Sequence, residues 1–423
     1  MTTIYLINVM LSVKIKRNLH KLTDLNSLLK PILPMKDNIQ LSQISVYPIK
    51  STAGIALSSS WVDELGLSFD RRFVLTDDNG QFITARTEPS LCLIQANLTA
   101  TGLVLTAPDM PKLIINYQQL SDTYQNVVVW DDNINAQQGS NKHHQWFSRY
   151  LNRPCQLLHF GESSTRKVPS TSSRTNQLAF ADGYPLLLIS QASLNDLNKR
   201  CPTTISMSQF RPNLVVDNCE AFAEDTWSHI RIGEVEFELR KPCSRCIFTT
   251  INPDTAQKHS HQEPITSLKT YRQAAEGDLK GEILFGQNLI PLNQGQIKTT
   301  DAVTIIKKKS SPTFSLAQKT SVKKASIQKV PRPSNKKITL NFDSWHKEHK
   351  GNNQQSILEQ GEEAGLILPY SCRAGMCGRC KVKLVAGEVE QLATDGLTEE
   401  EIAQGYILIC SSIPKSDVTV VKK

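Results

Sequence analysis

The sequence predicts an α+β protein that is mostly β and contains more than one domain. The chain has 423 residues, and a domain usually takes roughly 100–200 residues, so about two to four domains fit this length. Between residues 41 and 310, short strand-like runs are separated by Gly, Pro, Asn and Asp, the residue types of turns. Helical periodicity is sparse. These features favour a mixed β-barrel architecture.

Residues 1–40 are expected to be a poorly ordered extension. Their apolar stretch is interrupted by Lys14 and Lys16. A membrane span needs ~20 apolar residues, and a signal peptide places its positive charges before the apolar run. Because Met35 lies just before the first strand pattern, we expect residues 1–34 to be a disordered or interfacial extension or an over-long start. We expect a soluble, cytoplasmic protein with no membrane span.

The central part of the chain lacks the signatures of common nucleotide and hydrolase chemistry. It contains no internal repeat, no GxGxxG after a strand, no P-loop and no GxSxG. The strand candidates are ISVYPI, RRFVLT, LVLTA, NVVVW, PLLLIS and VEFELR, and the better helix candidates are HHQWFSRYL and SLNDLNKRC.

The net charge of +8 is concentrated in one segment. Residues 307–337 hold ten Lys or Arg and no Asp or Glu, so the remainder of the chain is slightly acidic. Ser, Pro and Lys dominate this segment, which predicts a basic, flexible linker over residues 309–335. Such a tether could also dock on an acidic partner. We therefore expect no stable nucleic-acid binding.

Ten cysteines do not form a disulfide pattern here, and two of them form a C-x2-C pair. Cys243 and Cys246 are compatible with a zinc finger, a redox dithiol or a thiolate that binds a cofactor metal. The zinc-finger interpretation is less favoured, because His261 is only two positions after His259 and a classical zinc finger has three to five residues between its histidines. No βαβ pattern surrounds the pair, so the interpretation as a thioredoxin-like redox dithiol is also less favoured.

Four C-terminal cysteines have the spacing of a plant-type [2Fe-2S] site. Cys372, Cys377 and Cys380 read C-x4-C-x2-C, and Cys410 is a distant fourth ligand. A zinc site is the alternative, but its ligands usually come as two short pairs. Small residues, Ala374, Gly375 and Gly378, let backbone amides approach the sulfurs, while Arg373 and Arg379 are expected to offset the cluster's negative charge.

The strand-like runs around these cysteines are KKITLNF, CKVKLVAGEVE and DVTVV. With this cysteine spacing, residues 336–423 resemble a plant-type ferredoxin domain of the β-grasp fold. A ferredoxin passes one electron at a time, so its fusion to a larger module implies that the module consumes electrons.

Several ordered motifs resemble the MOSC-domain family with its N-terminal β-barrel, and most of all the molybdenum-cofactor amidoxime-reducing enzymes. The resemblance implies a MOSC N-terminal barrel over residues 41–160 and a MOSC domain over 161–308. The motifs are SVYPIKS, DRRFVLTD, LLISQASLNDLN, QFRPNLVV, CSRCIFTTINPDT and GDLKGEILFGQNL.

By this resemblance Cys246 is the catalytic thiolate that binds molybdenum, and Cys243 is a nearby packed residue. The pterin carries a phosphate, which arginine and lysine bind well. Any one of these polar residues, such as Arg72, could instead form a surface salt bridge. Asn288 stands where the eukaryotic enzymes carry a tyrosine. The matched cofactor-binding positions are Lys50, Ser51, Arg72, Ser190, Arg211, Asn213, Ser244 and Arg245.

The resemblance implies a molybdenum-dependent enzyme that reduces N-hydroxylated compounds, such as hydroxylaminopurines and amidoximes. Its cofactors would be Mo-molybdopterin and a [2Fe-2S] cluster, and a separate NAD(P)H-dependent flavoprotein would refill the cluster. Two alternatives remain: a molybdenum-cofactor sulfur carrier or sulfurase-type protein, and a non-catalytic electron-transfer adaptor.

Overall fold

The computed structural model describes residues 38–130, 132–168, 177–315, 336–370 and 372–422. Strands account for 39% of the structure and helices for 18%, which confirms the mostly β, α+β class. The predicted extension up to residue 37 and the linker residues 316–335 lie outside the described residues.

In the described ranges the strands, in chain order, are β1 (Gln40–Val46), β2 (Ile55–Leu57), β3 (Ser59–Asp63), β4 (Gly66–Leu67), β5 (Phe73–Thr76), β6 (Gln95–Thr99), β7 (Gly102–Thr106), β8 (Leu113–Asn116), β9 (Tyr124–Val129), β10 (Asp132–Gln138), β11 (Gln156–His159), β12 (Leu186–Ser190), β13 (Leu214–Asp217), β14 (Trp227–Ile232), β15 (Val235–Ser244), β16 (Leu284–Pro291), β17 (Gly295–Lys298), β18 (Val303–Lys308), β19 (Lys337–Phe342), β20 (Lys347–Asn352), β21 (Lys381–Ala386), β22 (Val389–Gln391), β23 (Tyr406–Leu408), β24 (Ser412–Pro414) and β25 (Val418–Val421). The α-helices of the same ranges are α1 (Asn141–Leu151), α2 (Gln191–Arg200), α3 (Ile265–Arg272), α4 (Ile357–Glu363) and α5 (Glu399–Ala403). No helix among the described residues is long and apolar enough to cross a membrane.

An eight-stranded sheet joins the first and second regions of the chain. Its order is β18-β14-β15-β16-β12-β13-β1-β2, and Ile44 of β1 lies opposite Leu214 of β13 in an antiparallel pair. A second connection pairs β17 with β3, where Gly295 faces Val62. The two modules predicted to meet at residue 160 are therefore interlocked, and we call residues 38–315 the body.

The N-terminal part of the body encloses its own apolar core. Phe73, Leu103, Ile115 and Leu157, from four different strands, are fully buried there. Helix α1 closes this core with buried Phe147. This burial fixes the position of β5, and therefore of the arginine pair that precedes it.

The C-terminal domain, residues 336–422, has a mixed sheet of order β20-β19-β25-β21-β23. Leu340 of β19 pairs in parallel with Val418 of β25. Helix α4 begins after Ser356, whose hydroxyl accepts from the Glu359 amide as an N-cap. Buried Ile357 of α4 packs in the same core as these strands.

The first part of the predicted linker is held against the body. Lys309 Nζ donates to the Leu239 carbonyl at 3.1 Å and to Gln287 Oε1 at 3.2 Å. The Arg272 guanidinium lies 4.0 Å from the centroid of the Phe314 ring. Residues 309–315 therefore belong to the packed body.

Candidate functional site

Cys246 lies in a tight turn after β15. It has an extended backbone and caps the 3₁₀ helix Ile247–Thr250. The turn is fixed on both sides, because the Arg245 amide donates to the Ile283 carbonyl at 2.8 Å and the Thr249 amide donates to the Cys246 carbonyl at 3.0 Å. The half-buried thiol consequently has a defined position in the wall of a large cleft.

Arg86 is the charged neighbour of this thiol. Its Nε donates to Cys246 Sγ at 3.3 Å, and its other nitrogens reach Thr84 Oγ1 and Asp182 Oδ2, each at 3.2 Å. Arg86 is buried. A fixed cation beside the sulfur can balance the negative charge of a metal-bound thiolate.

Basic side chains gather in the same cleft. Burial lowers the pKa of Lys50 to about 8, and Asp182 opposes that shift. Lys50 is therefore still mostly protonated at pH 7. The basic residues that line the inner cleft are Lys50, Arg71, Arg86, Arg211 and Arg245.

Five cleft residues have a left-handed backbone, which is uncommon for residues other than glycine. They are Ser51 (φ 74°), Arg71 (φ 47°), Trp130 (φ 57°), Arg211 (φ 56°) and Arg373 (φ 55°). Such conformations cost on the order of 1–3 kcal/mol and concentrate at functional sites. The surrounding contacts hold them: Arg211 Nη1, for example, donates to the Thr52 carbonyl at 2.5 Å.

The donor set fits a molybdenum cofactor with a phosphate-bearing pterin. Cys246 offers a soft thiolate, and the arginines offer the planar forks that bind phosphate. Arg245 Nε is buried and has no hydrogen-bond partner among the described residues. Since such an unpaired donor is costly, an anion bound beside it would supply the missing partner.

Most of the predicted cofactor-binding residues line the cleft together, although they come from distant parts of the chain. Cys243 and Asn288 line it as well. Cys243 Sγ accepts from Arg245 Nη1 at 2.8 Å. The predicted residues brought together here are Lys50, Ser51, Arg211, Asn213, Ser244, Arg245 and Cys246.

Two predicted residues lie outside the cleft lining. Arg72 Nη2 binds both carboxylate oxygens of Asp63, at 3.0 and 2.9 Å, and its neighbour Arg71 enters the cleft instead. Ser190 is fully buried and caps α2, where its hydroxyl accepts from the Ser193 amide. The Ser190 hydroxyl therefore serves as a helix cap.

The sequence prediction missed Arg86, which contacts the thiol, and Trp130 and Asp182, which contact Arg86. Arg86 and Cys246 are 160 positions apart. Trp130 Nε1 donates to Asp182 Oδ1 at 3.2 Å, which links all three side chains. No motif spacing relates them, and only the fold brings them together.

The four C-terminal cysteines form two close pairs. Cys380 Sγ and Cys410 Sγ are 3.1 Å apart, and the thiols of Cys372 and Cys377 adjoin each other. A [2Fe-2S] cluster uses four cysteine thiolates, two for each iron. This paired donor set fits such a cluster.

Backbone amides point at these sulfurs, as the sequence predicts. The Ala374 amide donates to Cys372 Sγ at 3.4 Å and the Gly375 amide to Cys410 Sγ at 3.3 Å. Gly375 has φ +72°, and a Cβ there would lie 2.7 Å from Ala393 Cβ. Glycine is required at this point of the loop.

The two loop arginines are paired with carboxylates. Arg373 Nη1 donates to Glu362 Oε2 at 2.8 Å, and Arg379 Nη2 donates to Glu282 Oε1 at 3.2 Å. Because Glu282 belongs to the body, Arg379 joins the C-terminal domain to it.

The two cysteine sites meet directly. The Ile247 amide, adjacent to Cys246, donates to the Cys372 carbonyl at 2.8 Å. Met376 of the cysteine loop packs in one apolar cluster with Phe210 and Ile283 of the body. A single hydrogen bond therefore joins the residue that follows Cys246 to one of the cluster cysteines.

Three family models match parts of the chain. The MOSC N-terminal beta barrel domain matches residues 38–154, and the MOSC domain matches residues 175–304. The 2Fe-2S iron-sulfur cluster binding domain matches residues 343–415.

Similar proteins come from vertebrates. Mitochondrial amidoxime-reducing component 1 of Homo sapiens is 33% identical over 63% of this chain and 82% of its own length. The component 1 protein of Danio rerio is 32% identical over 55% of this chain and 74% of its own. Mitochondrial amidoxime reducing component 2 of Homo sapiens is 34% identical over 55% and 72%. The chain therefore belongs to the amidoxime-reducing component family, and its cofactors are Mo-molybdopterin and a [2Fe-2S] cluster.

Proposed function

We propose that this protein is a molybdenum-dependent reductase of N-hydroxylated compounds, with hydroxylaminopurines and amidoximes as substrates. The N–O bond is broken, two electrons and two protons are taken up, and the products are the amine or amidine and water. One observation carries the proposal: the Cys246 cleft, with its fixed cations, adjoins the four-cysteine site through the Ile247 to Cys372 hydrogen bond.

The molybdenum cofactor, when bound, exchanges two electrons and an oxo group, while the cluster passes electrons singly. In this proposal Cys246 binds the metal and Arg86 balances the charge on its sulfur. Lys50, Arg211 and Arg245 bind the anionic edge of the pterin. The protein's contribution is thus to place and orient the cofactor beside the electron source.

Electron delivery is proposed to be intramolecular, from the docked C-terminal domain. The contacts that support docking are the Met376 packing, the Arg379 to Glu282 ion pair and the Ile247 hydrogen bond. Because no dinucleotide fingerprint is present in the sequence, we propose that a separate NAD(P)H-dependent flavoprotein reduces the cluster.

Purified holoprotein is expected to contain about one molybdenum and about two irons per chain and to reduce benzamidoxime with a chemical donor such as reduced methyl viologen. Metal analysis and quantification of the amidine test both points. Iron without molybdenum, together with no reduction across a panel of N-hydroxy compounds, would favour an electron-transfer adaptor.

Arg379→Glu is expected to slow electron delivery roughly fivefold, because it places like charges together at the docking contact with Glu282. The measurement is the reoxidation rate of the cluster when benzamidoxime is added to the reduced protein. Lys383→Glu, the same charge change at an exposed position of β21, is the matched control. Equal rates in the two variants would contradict docking through Arg379.

A further inference from the structure

The cleft around Cys246 extends outward until its wall is made by the C-terminal domain. Its volume is about 1380 Å³, whereas pockets for one small ligand usually measure roughly 300–1,000 Å³. The inner wall carries Cys246 and the basic residues of the body, and the outer wall includes Tyr370 and Arg373. The cleft is therefore large enough for a cofactor and a second molecule.

Among the aromatic side chains that line the cleft, Phe82, Trp130 and Tyr370 contact one another in a row, and we call these three the aromatic wall. The rings of Phe82 and Trp130 meet edge to face with their centroids 4.7 Å apart. The rings of Trp130 and Tyr370 lie 5.7 Å apart at an angle of 51°. The wall thus crosses from the body to the C-terminal domain.

The side chain of Arg86 lies between the aromatic wall and Cys246. The Arg86 guanidinium carbon is 4.7 Å from the Trp130 ring centroid, and its Nε is 3.3 Å from Cys246 Sγ. Tyr370 is held in place by Arg373, whose guanidinium carbon lies 3.9 Å from its ring. A continuous row of contacts therefore runs from Cys246 through Arg86 and Trp130 to Tyr370 along the lining of one cleft.

We infer that the C-terminal domain forms part of the substrate-binding site as well as delivering electrons: Tyr370, with Trp130, contacts the carbon skeleton of an N-hydroxylated substrate and favours skeletons that are flat and aromatic. This inference rests on the proposed function. Aromatic pairs gain energy from ring contact that a methyl group cannot supply. An N-hydroxy group on an aromatic ring could then point inward to Cys246 while the ring stays against the wall.

The test compares benzamidoxime with acetamidoxime. The first carries a phenyl group on the amidoxime carbon, and the second carries a methyl group there. Tyr370→Leu and Trp130→Leu are each expected to lower kcat/KM for benzamidoxime by about 3- to 10-fold more than kcat/KM for acetamidoxime. Titration calorimetry of the fully oxidised protein, in which no turnover occurs, should show the same 3- to 10-fold rise in the Kd of benzamidoxime. Tyr370→Phe keeps the ring and should retain the wild-type Kd.

Tyr406→Leu, in β23 and outside the cleft lining, is the matched control and should bind benzamidoxime like the wild type. An equal fall in kcat for both amidoximes, with an unchanged Kd, would assign Tyr370 to electron delivery alone and overturn the inference. Trp130→Leu changes a residue of the body, so an unchanged Kd for benzamidoxime in this variant would also overturn the inference, even if the Tyr370 variants lose iron. If the wild type reduces neither amidoxime, the proposed function fails, and this inference fails with it.

Discussion

Cys246→Ala is expected to remove molybdenum and to lower the reduction of N-hydroxylated substrates by more than about 100-fold, since loss of even an outer partner of a metal ligand typically costs 10- to 100-fold. Alanine lacks the sulfur that is proposed to bind molybdenum and that accepts a hydrogen bond from Arg86 Nε. The iron–sulfur absorbance should persist, because the four cluster cysteines are untouched. Molybdenum analysis, visible absorbance and turnover with reduced methyl viologen measure the three effects.

Cys243→Ala is the matched control, as both cysteines line the cleft. The Cys243 sulfur accepts from Arg245 Nη1 at 2.8 Å, so its loss frees one nitrogen of a buried arginine and should weaken cofactor binding only moderately. Retention of both molybdenum and turnover in Cys246→Ala would refute the assignment. A Cys243 variant that loses more molybdenum would transfer the ligand role to Cys243.

Local patterns were sufficient to predict several of the strands and the cluster loop. The run FVLT forms β5 with every residue buried, and the glycine at position 375 has the positive φ expected of a loop that wraps a cluster. Alternation of side chains and backbone freedom act over a few residues, so a single sequence contains them.

The sequence alone could not show which of two adjacent arginines, Arg71 or Arg72, lines the cleft. The two arginines lie in and just after the turn before β5, where side chains do not follow the regular alternation of a strand. The left-handed backbone of Arg71 turns its side chain toward Asn213, 142 positions away, where Nη1 donates at 2.9 Å. Arg72 is left to pair with Asp63. That outcome depends on long-range packing.

The docking of the C-terminal domain was equally beyond sequence reasoning. A basic linker predicts a domain that is free to move, but it carries no information about where that domain binds. Ala374 and Met376 look like loop residues in the sequence, yet both are buried in the apolar cluster shared with the body. Apolar residues in a cluster loop are ambiguous until the opposing surface is known.

Cys377→Ala is expected to have the reverse effect of Cys246→Ala, removing the [2Fe-2S] cluster while molybdenum stays bound. The thiol of Cys377 pairs with that of Cys372, and three thiolates do not complete a four-cysteine cluster. Turnover driven by an NAD(P)H-dependent flavoprotein should fall more than about 100-fold, because electrons then lack their carrier. Iron analysis and the two turnover assays, with flavoprotein and with reduced methyl viologen, provide the measurements.

A small donor reaches the cleft without the cluster, so Cys377→Ala should keep part of its activity with reduced methyl viologen. Cys219→Ala, the same change at a half-buried cysteine outside both sites, should retain both metals and both activities. Because the cluster loop also packs on the body through Met376, loss of the cluster could loosen the outer wall of the cleft. In that case the KM for benzamidoxime would rise while that for acetamidoxime would not. An equal loss of kcat with both donors, at full molybdenum content, would instead mean that the C-terminal domain supports the site structurally and carries no electrons.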